Sequence, residues 1–299
     1  MPGRIRDRFA VLQKWDLSRL NRKLIREVNK FKPDILLQTG GHRIFPETIK
    51  LIKSMGVKTV LWTIDFPTDF VPVIESAPAY DFVFTGGTEA YELLKPYNIK
   101  NIYWLPFACD TTFHKPAQLT QAEKVKYASD IVFIGSFYQN RQEALEQISD
   151  FDLGVWGPGW EKVPDSSPLK KCVKRAGGVK PDEWTKIYSS SKICVVIHYH
   201  DGKTLCYQAS PKVYEILACR CFLLVDNEKD VNSLFVDGKH LAVFKGIKDL
   251  REKIRYYLDN PGEREIIAGQ GYDEVIQKHA YINRVKEMLS IVNRGGQNG

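Results

Sequence analysis

Residues 193–226 read ICVVIHYHDGKTLCYQASPKVYEILACRCFLLVD, and this stretch contains one complete unit of an α/β fold. The apolar run at 193–197 predicts a buried strand, and residues 222–226 predict a second one. Between them, Ser210 suits a helix N-cap and Pro211 suits the first helical position, so a helix is expected to begin there and to end near Cys219. A strand, a helix and a strand in this order indicate a parallel sheet covered by helices.

The same alternation of apolar strands and amphipathic helices extends in both directions from this unit. Because two such series follow each other, we expect an α/β protein with two doubly wound, Rossmann-like domains and a ligand cleft between the carboxyl edges of their sheets. The predicted strands are 34–39, 59–64, 82–85 and 102–105 in the first series, and 130–134, 153–156, 193–197 and 222–226 in the second. The predicted helices include 17–31, 46–55, 211–219, 261–279 and 281–292.

A polar stretch at 111–121 separates the two series and is interpreted as a linker. The predicted domains are therefore 1–112, which is shortened at its start, and 113–278. Residues 279–299 are expected to form a C-terminal helix and a flexible tail, with the C-terminal helices packing back across the domains.

The composition is that of a water-soluble globular chain of 299 residues, with 43% hydrophobic and 26% charged residues. Apolar runs such as 131–134 and 221–225 are far shorter than the roughly 20 residues of a membrane span. The basic N-terminus has no apolar stretch behind it, which argues against a secretory signal and for a cytoplasmic protein. Six cysteines lack zinc-type spacing, so free thiols and no metal site are expected.

The formal charge of +7 is concentrated at residues 4–26 and 170–180. Neither cluster interleaves aromatic residues or resembles a nucleic-acid-binding motif, so a nucleic acid partner is not expected. One interpretation is an ordinary solvated basic face. The other is peripheral contact with anionic lipid at the inner face of the membrane.

The segment with the clearest chemical content is the start of the predicted helix 211–219. A helix N-terminus with a nearby Lys212 can receive a diphosphate, and Glu215, one turn further in, can accept hydrogen bonds from a ribose diol. The alternative is that Lys212 and Glu215 form a surface ion pair.

A second candidate follows the predicted strand 130–134. Gly135 and Ser136 end that strand, and a glycine there allows the backbone to approach a ligand closely. Arg141, on the helix that follows, could bind phosphate with two hydrogen bonds. The alternative is that Gly135 is a plain turn residue.

Taken together, these segments resemble the CgeB-like glycosyltransferases, whose C-terminal domain belongs to the group 1 (family 4-like) glycosyltransferases of the GT-B fold. The resemblance covers nearly the whole chain. It rests on residues 133–136, 187–193, 210–215, 222–226, 234–235, 256–264, 267–268 and 271–272 in the second half, and on 21–22, 32–34, 62–65 and 104–108 in the first. It implies two Rossmann-like domains whose parallel sheets face a central cleft.

The resemblance implies transfer of a hexosyl-type sugar from a nucleoside-diphosphate-sugar, bound by the second domain, to a glycan, lipid or protein acceptor held by the first. No metal and no cofactor are implied. Lys212 and the helix that it opens would stabilise the departing diphosphate, Glu215 would bind the ribose, and Gly135 and Ser136 would approach the donor. Retention of configuration is expected, with inversion as the alternative. The chain departs from many relatives at Tyr207, where they carry Glu, and at Arg220, where they carry Gly.

His42 and Asp65 each follow a predicted strand of the first domain and are the catalytic candidates there. In an inverting reaction, one of them would be the general base. The alternatives are a solvated turn histidine and a carboxylate that binds loop amides. In the second domain, His198 and His200 could contact the donor sugar, and a metal pair there lacks a third ligand in the sequence.

Two other functions stay open at this point. The first is a non-catalytic protein that binds nucleotide-sugars or polysaccharides on a transferase scaffold. The second is a phosphorylase or epimerase with the same fold.

Overall fold

The computed structural model describes residues 3–41, 43–64 and 70–294, with the side chains of the first helix described from residue 15 onward. The chain forms two compact units, Met1–Pro106 and Phe107–Gly299. Within these described ranges, no helix is both long enough and apolar enough to cross a lipid bilayer.

In the described part of the first unit, four parallel strands form a sheet in the order β1-β2-β3-β4. Leu61 and Val83 of this sheet, together with Ile49 and Val73 of the helices, are fully buried in one core. The elements are α1 (Gly3–Phe31), β1 (Ile35–Thr39), α2 (Pro46–Ser54), β2 (Lys58–Thr63), α3 (Val71–Ser76), β3 (Phe82–Thr85), α4 (Thr88–Leu94) and β4 (Ile102–Trp104).

The second unit contains a parallel sheet whose six described strands run in the order β10-β9-β8-β5-β6-β7. Its first half consists of α5 (Gln121–Tyr127), β5 (Ser129–Ile134), α6 (Gln139–Glu146), β6 (Leu153–Trp156), β7 (Val173–Arg175) and α7 (Pro181–Ser189). Its second half consists of β8 (Ser191–Val196), α8 (Pro211–Ala218), β9 (Leu223–Asp226), α9 (Lys229–Leu234), β10 (Ala242–Phe244), α10 (Gly246–Asp259), α11 (Pro261–Lys278) and α12 (Tyr281–Arg294).

Strand β5 shows why an uninterrupted apolar run forms a central strand. Ile131 and Phe133 are buried in the core on one face of the sheet, whereas Val132 and Ile134 are buried in the core on the other face. Successive side chains of a strand point to opposite faces, so a strand covered by helices on both sides must be apolar at every position.

The chain leaves β5 in one direction, towards β6 and β7, and later returns on the other side of β5 to form β8, β9 and β10. The neighbouring strands β5 and β8 therefore mark the point where the strand order reverses. In open α/β sheets, the crevice at the carboxyl ends of such strands is the usual place for a ligand.

The α/β class and the two parallel sheets predicted from the sequence are confirmed. Helix α5 begins at Gln121, the last residue of the predicted linker 111–121. The two compact units divide before Phe107, earlier in the chain than the predicted 112/113 boundary. Cys109 explains this position, because it pairs with Ala280 and its carbonyl accepts the N–H of Tyr281, at the start of α12.

Candidate active site

Helix α8 begins where the sequence predicts, and its first residues belong to the candidate site. Ser210 is the N-cap, with φ −53° and ψ 144°, and its Oγ accepts the backbone N–H of Lys212 at 3.4 Å. Pro211 is the first helical residue, a position where the missing proline N–H costs nothing. The helix N-terminus therefore lies at the carboxyl edge of the sheet, directly after the loop that leaves β8.

Lys212 and Glu215 occupy neighbouring positions on this helix, and their Nζ and Oε2 atoms are 4.0 Å apart. The ammonium group also lies 5.0 Å from the centre of the Trp184 ring. Burial lowers the pKa of Lys212, the Glu215 carboxylate opposes that shift, and the positive charge of Arg141 adds to it. Lys212 and Arg141 thus place two positive charges, from α8 and α6, near this edge of the sheet.

Glu215 is buried, yet its Oε2 has no hydrogen-bond partner among the described residues. The Glu215 side chain as a whole is 12% exposed. A buried carboxylate without donors is costly, and the cost is removed when a bound molecule supplies them. A pair of adjacent hydroxyl groups on a ligand would provide two such donors.

The loop after β5 is closely packed against the loop after β6. Gly135 donates its N–H to the carbonyl of Trp156 at 2.9 Å, and its own carbonyl accepts the indole N–H of Trp160 at 2.8 Å. A Cβ atom at Gly157, which has a φ of +134°, would overlap the carbonyl oxygen of Gly135. The two glycines thus allow the two backbones to touch.

Arg141 organises this edge of the sheet from helix α6. Its Nε donates to the carbonyl of Ile197 at 2.8 Å, and its Nη1 donates to the carbonyl of Ser136 at 3.0 Å. The guanidinium lies over the ring of Tyr138, and burial lowers its pKa. Arg141 therefore joins the loops after β5 and β8 and keeps Nη2 without a protein partner in the described ranges.

His198 connects the end of β8 with the start of α8. Its Nε2 accepts the backbone N–H of Ser210 at 3.0 Å, and its Nδ1 lies 2.5 Å from Oδ1 of Asp226, at the end of β9. Since Nε2 is an acceptor here, the ring proton is assigned to Nδ1, which donates to the carboxylate. Both ring nitrogens are engaged within the protein, so His198 fixes the position of the helix N-terminus.

A second histidine and carboxylate lie beside this pair. Nε2 of His200 is 2.7 Å from Oε1 of the buried Glu228, and this contact raises the pKa of His200 while burial opposes the shift. His198, Asp226 and Glu228 offer ligand atoms within 4.8 Å of one another, a set suited to a divalent cation. A metal bound at His198 would have to displace either Asp226 or the Ser210 N–H from the imidazole.

Replacing His198 with phenylalanine is expected to lower the free energy of unfolding by about 3 kcal/mol, because the Ser210 N–H and Asp226 both lose a buried partner. Replacing His200 with phenylalanine is the comparison, and it should cost less, because it removes one buried partner, that of Glu228, instead of two. Urea denaturation measures both. Equal losses in the two variants would show that His198 does not hold the helix start.

The structure joins the predicted donor-site residues of the second unit into one chain of contacts. Arg141 bonds the carbonyls of Ser136 and Ile197. The residue after Ile197 is His198, which bonds the N–H of Ser210. Ser210 caps the helix that carries Lys212 and Glu215.

The predicted catalytic residues His42 and Asp65 lie outside the described residues.

Sequence reasoning missed three residues of this site, Trp184, Asp226 and Glu228. Asp226 is the last residue of the predicted strand 222–226, at the carboxyl edge of the sheet, which is the signal that could have identified it. The pairing of Glu228 with His200 and the contact of Trp184 with Lys212 depend on the order of strands and helices around the sheet.

These features define an α/β protein with a polar site where the strand order of its parallel sheet reverses, built from a helix N-terminus, a lysine and a buried glutamate. Comparison with known proteins makes this class specific. Residues 139–290 match the family model described as glycosyl transferase-like. This match spans half of the chain, and the protein belongs to that family.

Individual relatives agree with this assignment. The chain is 21% identical over 266 residues to the spore protein CgeB of Bacillus subtilis strain 168, covering 84% of this chain and 80% of that protein. Sucrose-phosphate synthase from Thermosynechococcus elongatus superposes with a TM-score of 0.69 at 11% identity, covering 95% and 79% of the two chains. The Anabaena protein HepE, in complex with UDP and glucose, gives a TM-score of 0.67 at 8% identity, covering 92% and 81%.

The resemblance to CgeB-like glycosyltransferases predicted from the sequence is confirmed, and the similar solved structures are GT-B glycosyltransferases. Family and fold both support sugar transfer as the general activity of the protein.

Proposed function

We propose that the protein transfers a sugar from a nucleoside-diphosphate-sugar to a hydroxyl group of a glycan, lipid or protein acceptor. The observation that supports this most directly is Glu215, whose Oε2 lacks a hydrogen-bond partner among the described residues and lies 4.0 Å from Nζ of Lys212 at the start of α8. A ribose diol matches the carboxylate, and a diphosphate matches the lysine and the positive end of the helix dipole.

The reaction that we propose needs no metal ion. As the bond between the sugar C1 and the diphosphate oxygen breaks, negative charge develops on the leaving group. Lys212, the helix N-terminus and the nearby Arg141 provide positive charge at this edge of the sheet. The structure of HepE with UDP and glucose makes uridine donors the first to test.

For the stereochemistry, we propose retention by attack from the face that the diphosphate leaves. The acceptor oxygen forms the new bond to C1, and its proton passes to an oxygen of the departing diphosphate. The anomeric configuration of the first-formed product, measured by NMR, tests this step, and an inverted product would overturn it.

Glu215→Gln is expected to weaken nucleoside diphosphate binding roughly 10- to 100-fold, because a charged acceptor of the ribose hydroxyls is lost. Calorimetric titration of UDP, GDP and ADP measures this loss. The matched control is the 2′-deoxy form of whichever nucleotide binds. Wild type should prefer the ribose form, whereas the variant should bind both forms equally. A wild-type protein that does not discriminate would contradict the role given to Glu215.

The activity itself is tested by incubating the protein with a panel of UDP-, GDP- and TDP-sugars, with and without candidate acceptors. We expect release of nucleoside diphosphate that is unchanged by EDTA. If no nucleoside diphosphate binds, the proposal fails.

One observation favours a second candidate, a non-catalytic binding protein. Tyr207 occupies a position where many retaining glycosyltransferases carry a glutamate, and Lys229 lies 5.0 Å from the centre of its ring. Binding of a nucleotide-sugar without turnover across a broad acceptor panel would support this candidate.

A further inference from the structure

Arg220 has a backbone conformation that a side chain rarely adopts. It follows the C-cap residue Cys219 with a φ of +56°. Its N–H donates to the carbonyl of Leu217, and the N–H of Cys221 donates to that of Ile216, which completes a Schellman motif. Glycine is the usual residue at this position because any Cβ is strained there. The chain carries an arginine in spite of that strain.

The side chain of Arg220 lines a cavity of about 370 Å³ at the amino edge of the second unit's sheet. This cavity is formed by the ends of α7 and α8, the starts of β8 and β9, and one face of α11. Lys212 and Glu215 begin the same helix that Arg220 follows, so the cavity and the candidate active site lie at opposite ends of α8. The cavity has room for a small metabolite.

The charge in this cavity is not balanced by the protein. Arg220 has no ion pair or hydrogen bond to its guanidinium within the described ranges, and its Nη2 lies beside Gly269 of α11. Arg264 donates one N–H to the carbonyl of Tyr257 and keeps its charge unpaired among those residues. Lys192 is neutralised by Asp130 at 2.7 Å, which leaves the exposed Glu265 as the opposing charge.

We propose that this cavity binds a small molecule through its phosphate group, with Arg220 and Arg264 as the cationic contacts. Guanidinium groups form paired, charge-assisted hydrogen bonds with phosphate, and two of them outweigh one carboxylate. The helix ends nearby give a competing explanation for Arg220, since a cation also stabilises the C-terminus of α8. The two explanations differ in what the removal of Arg220 does. This proposal does not depend on the proposed function.

The test is thermal unfolding in inorganic phosphate and in glycerol 3-phosphate, each compared with chloride at equal ionic strength to remove simple screening. Both ligands should raise the wild-type melting temperature if the site takes the phosphate group itself. A response to glycerol 3-phosphate alone would still support the proposal, whereas a response to neither ligand would overturn it.

Arg220→Gly separates the two explanations because it should raise the melting temperature of the free protein and lower its affinity for phosphate. Without ligand, the variant should melt about 2 °C higher, since the strained conformation is relieved. With ligand, its affinity for phosphate should fall roughly tenfold or more. A phosphate response equal to that of wild type would overturn the proposal and leave Arg220 as a helix-end cation.

Two further variants test whether phosphate binds in this cavity or elsewhere on the protein. Glu265→Gln should tighten phosphate binding, because it removes the opposing charge, and a weaker affinity would contradict the assignment. Lys212→Ala should keep the phosphate response. Its loss would show that phosphate binds at the start of α8 instead.

Discussion

Replacing Lys212 with alanine is expected to lower kcat for sugar transfer by about two to three orders of magnitude. The ammonium lies at the start of α8, 4.0 Å from Glu215 and close enough to Arg141 for the two charges to interact. A group that stabilises charge developing on the leaving diphosphate acts mainly in the transition state, so kcat should fall much more than KM rises.

The matched control for this variant is Lys203→Ala. Lys203 is exposed on the loop between β8 and α8, so its loss removes the same charge without touching the helix start. Turnover of UDP-, GDP- and TDP-sugars measures both variants, with circular dichroism to confirm folding. A Lys212→Ala enzyme within twofold of wild type would remove the lysine from the mechanism.

The second large effect is a loss of stability in acid that depends on His279. This side chain is buried, and its Nδ1 accepts a hydrogen bond from Nη2 of Arg284 at 2.7 Å. Burial, reinforced by the charge of Arg284, lowers the pKa of His279 to about 4. The unfolded chain binds this proton near pH 6.5, whereas the folded chain does not. The free energy of unfolding should therefore fall by about 3 kcal/mol between pH 6.5 and pH 4 on account of this residue.

Urea denaturation from pH 7 to pH 4 measures this effect in wild type and in His279→Gln. Glutamine can still accept from Arg284 but does not titrate. The variant should be less stable at pH 7 and should lose about 3 kcal/mol less than wild type on acidification. His200→Gln is the control, because the pKa of His200 is raised and the stability from its pairing with Glu228 is lost as pH rises. Parallel curves for wild type and His279→Gln would contradict the assignment.

The sequence predicts the parts of this fold that local signals determine. Helix α8 is one example, since Ser210 and Pro211 mark its start, and strand β5 is another, because its apolar residues are continuous. Helix α5 had a signal that the linker interpretation passed over. Thr120 and Glu123 form a capping box, in which each side chain bonds the other's backbone N–H.

Other features depend on neighbours far along the chain and had no local signal. Val173–Arg175 forms an edge strand although two of its three residues are charged, because its backbone pairs with β6. The division before Phe107 depends on Cys109 meeting Ala280. Within the site, the sequence indicates Lys212 and Glu215 by their spacing, whereas the partners of His198 emerge only when β8 and β9 lie side by side.

The contact between Gly135 and Gly157 limits how this protein could be re-engineered. No side chain fits at residue 157, where even one methyl group would strike the neighbouring backbone. A library that varies the loops after β5 and β6 should leave that position unchanged and vary Ser136 and Pro158 instead, since both are at least partly accessible.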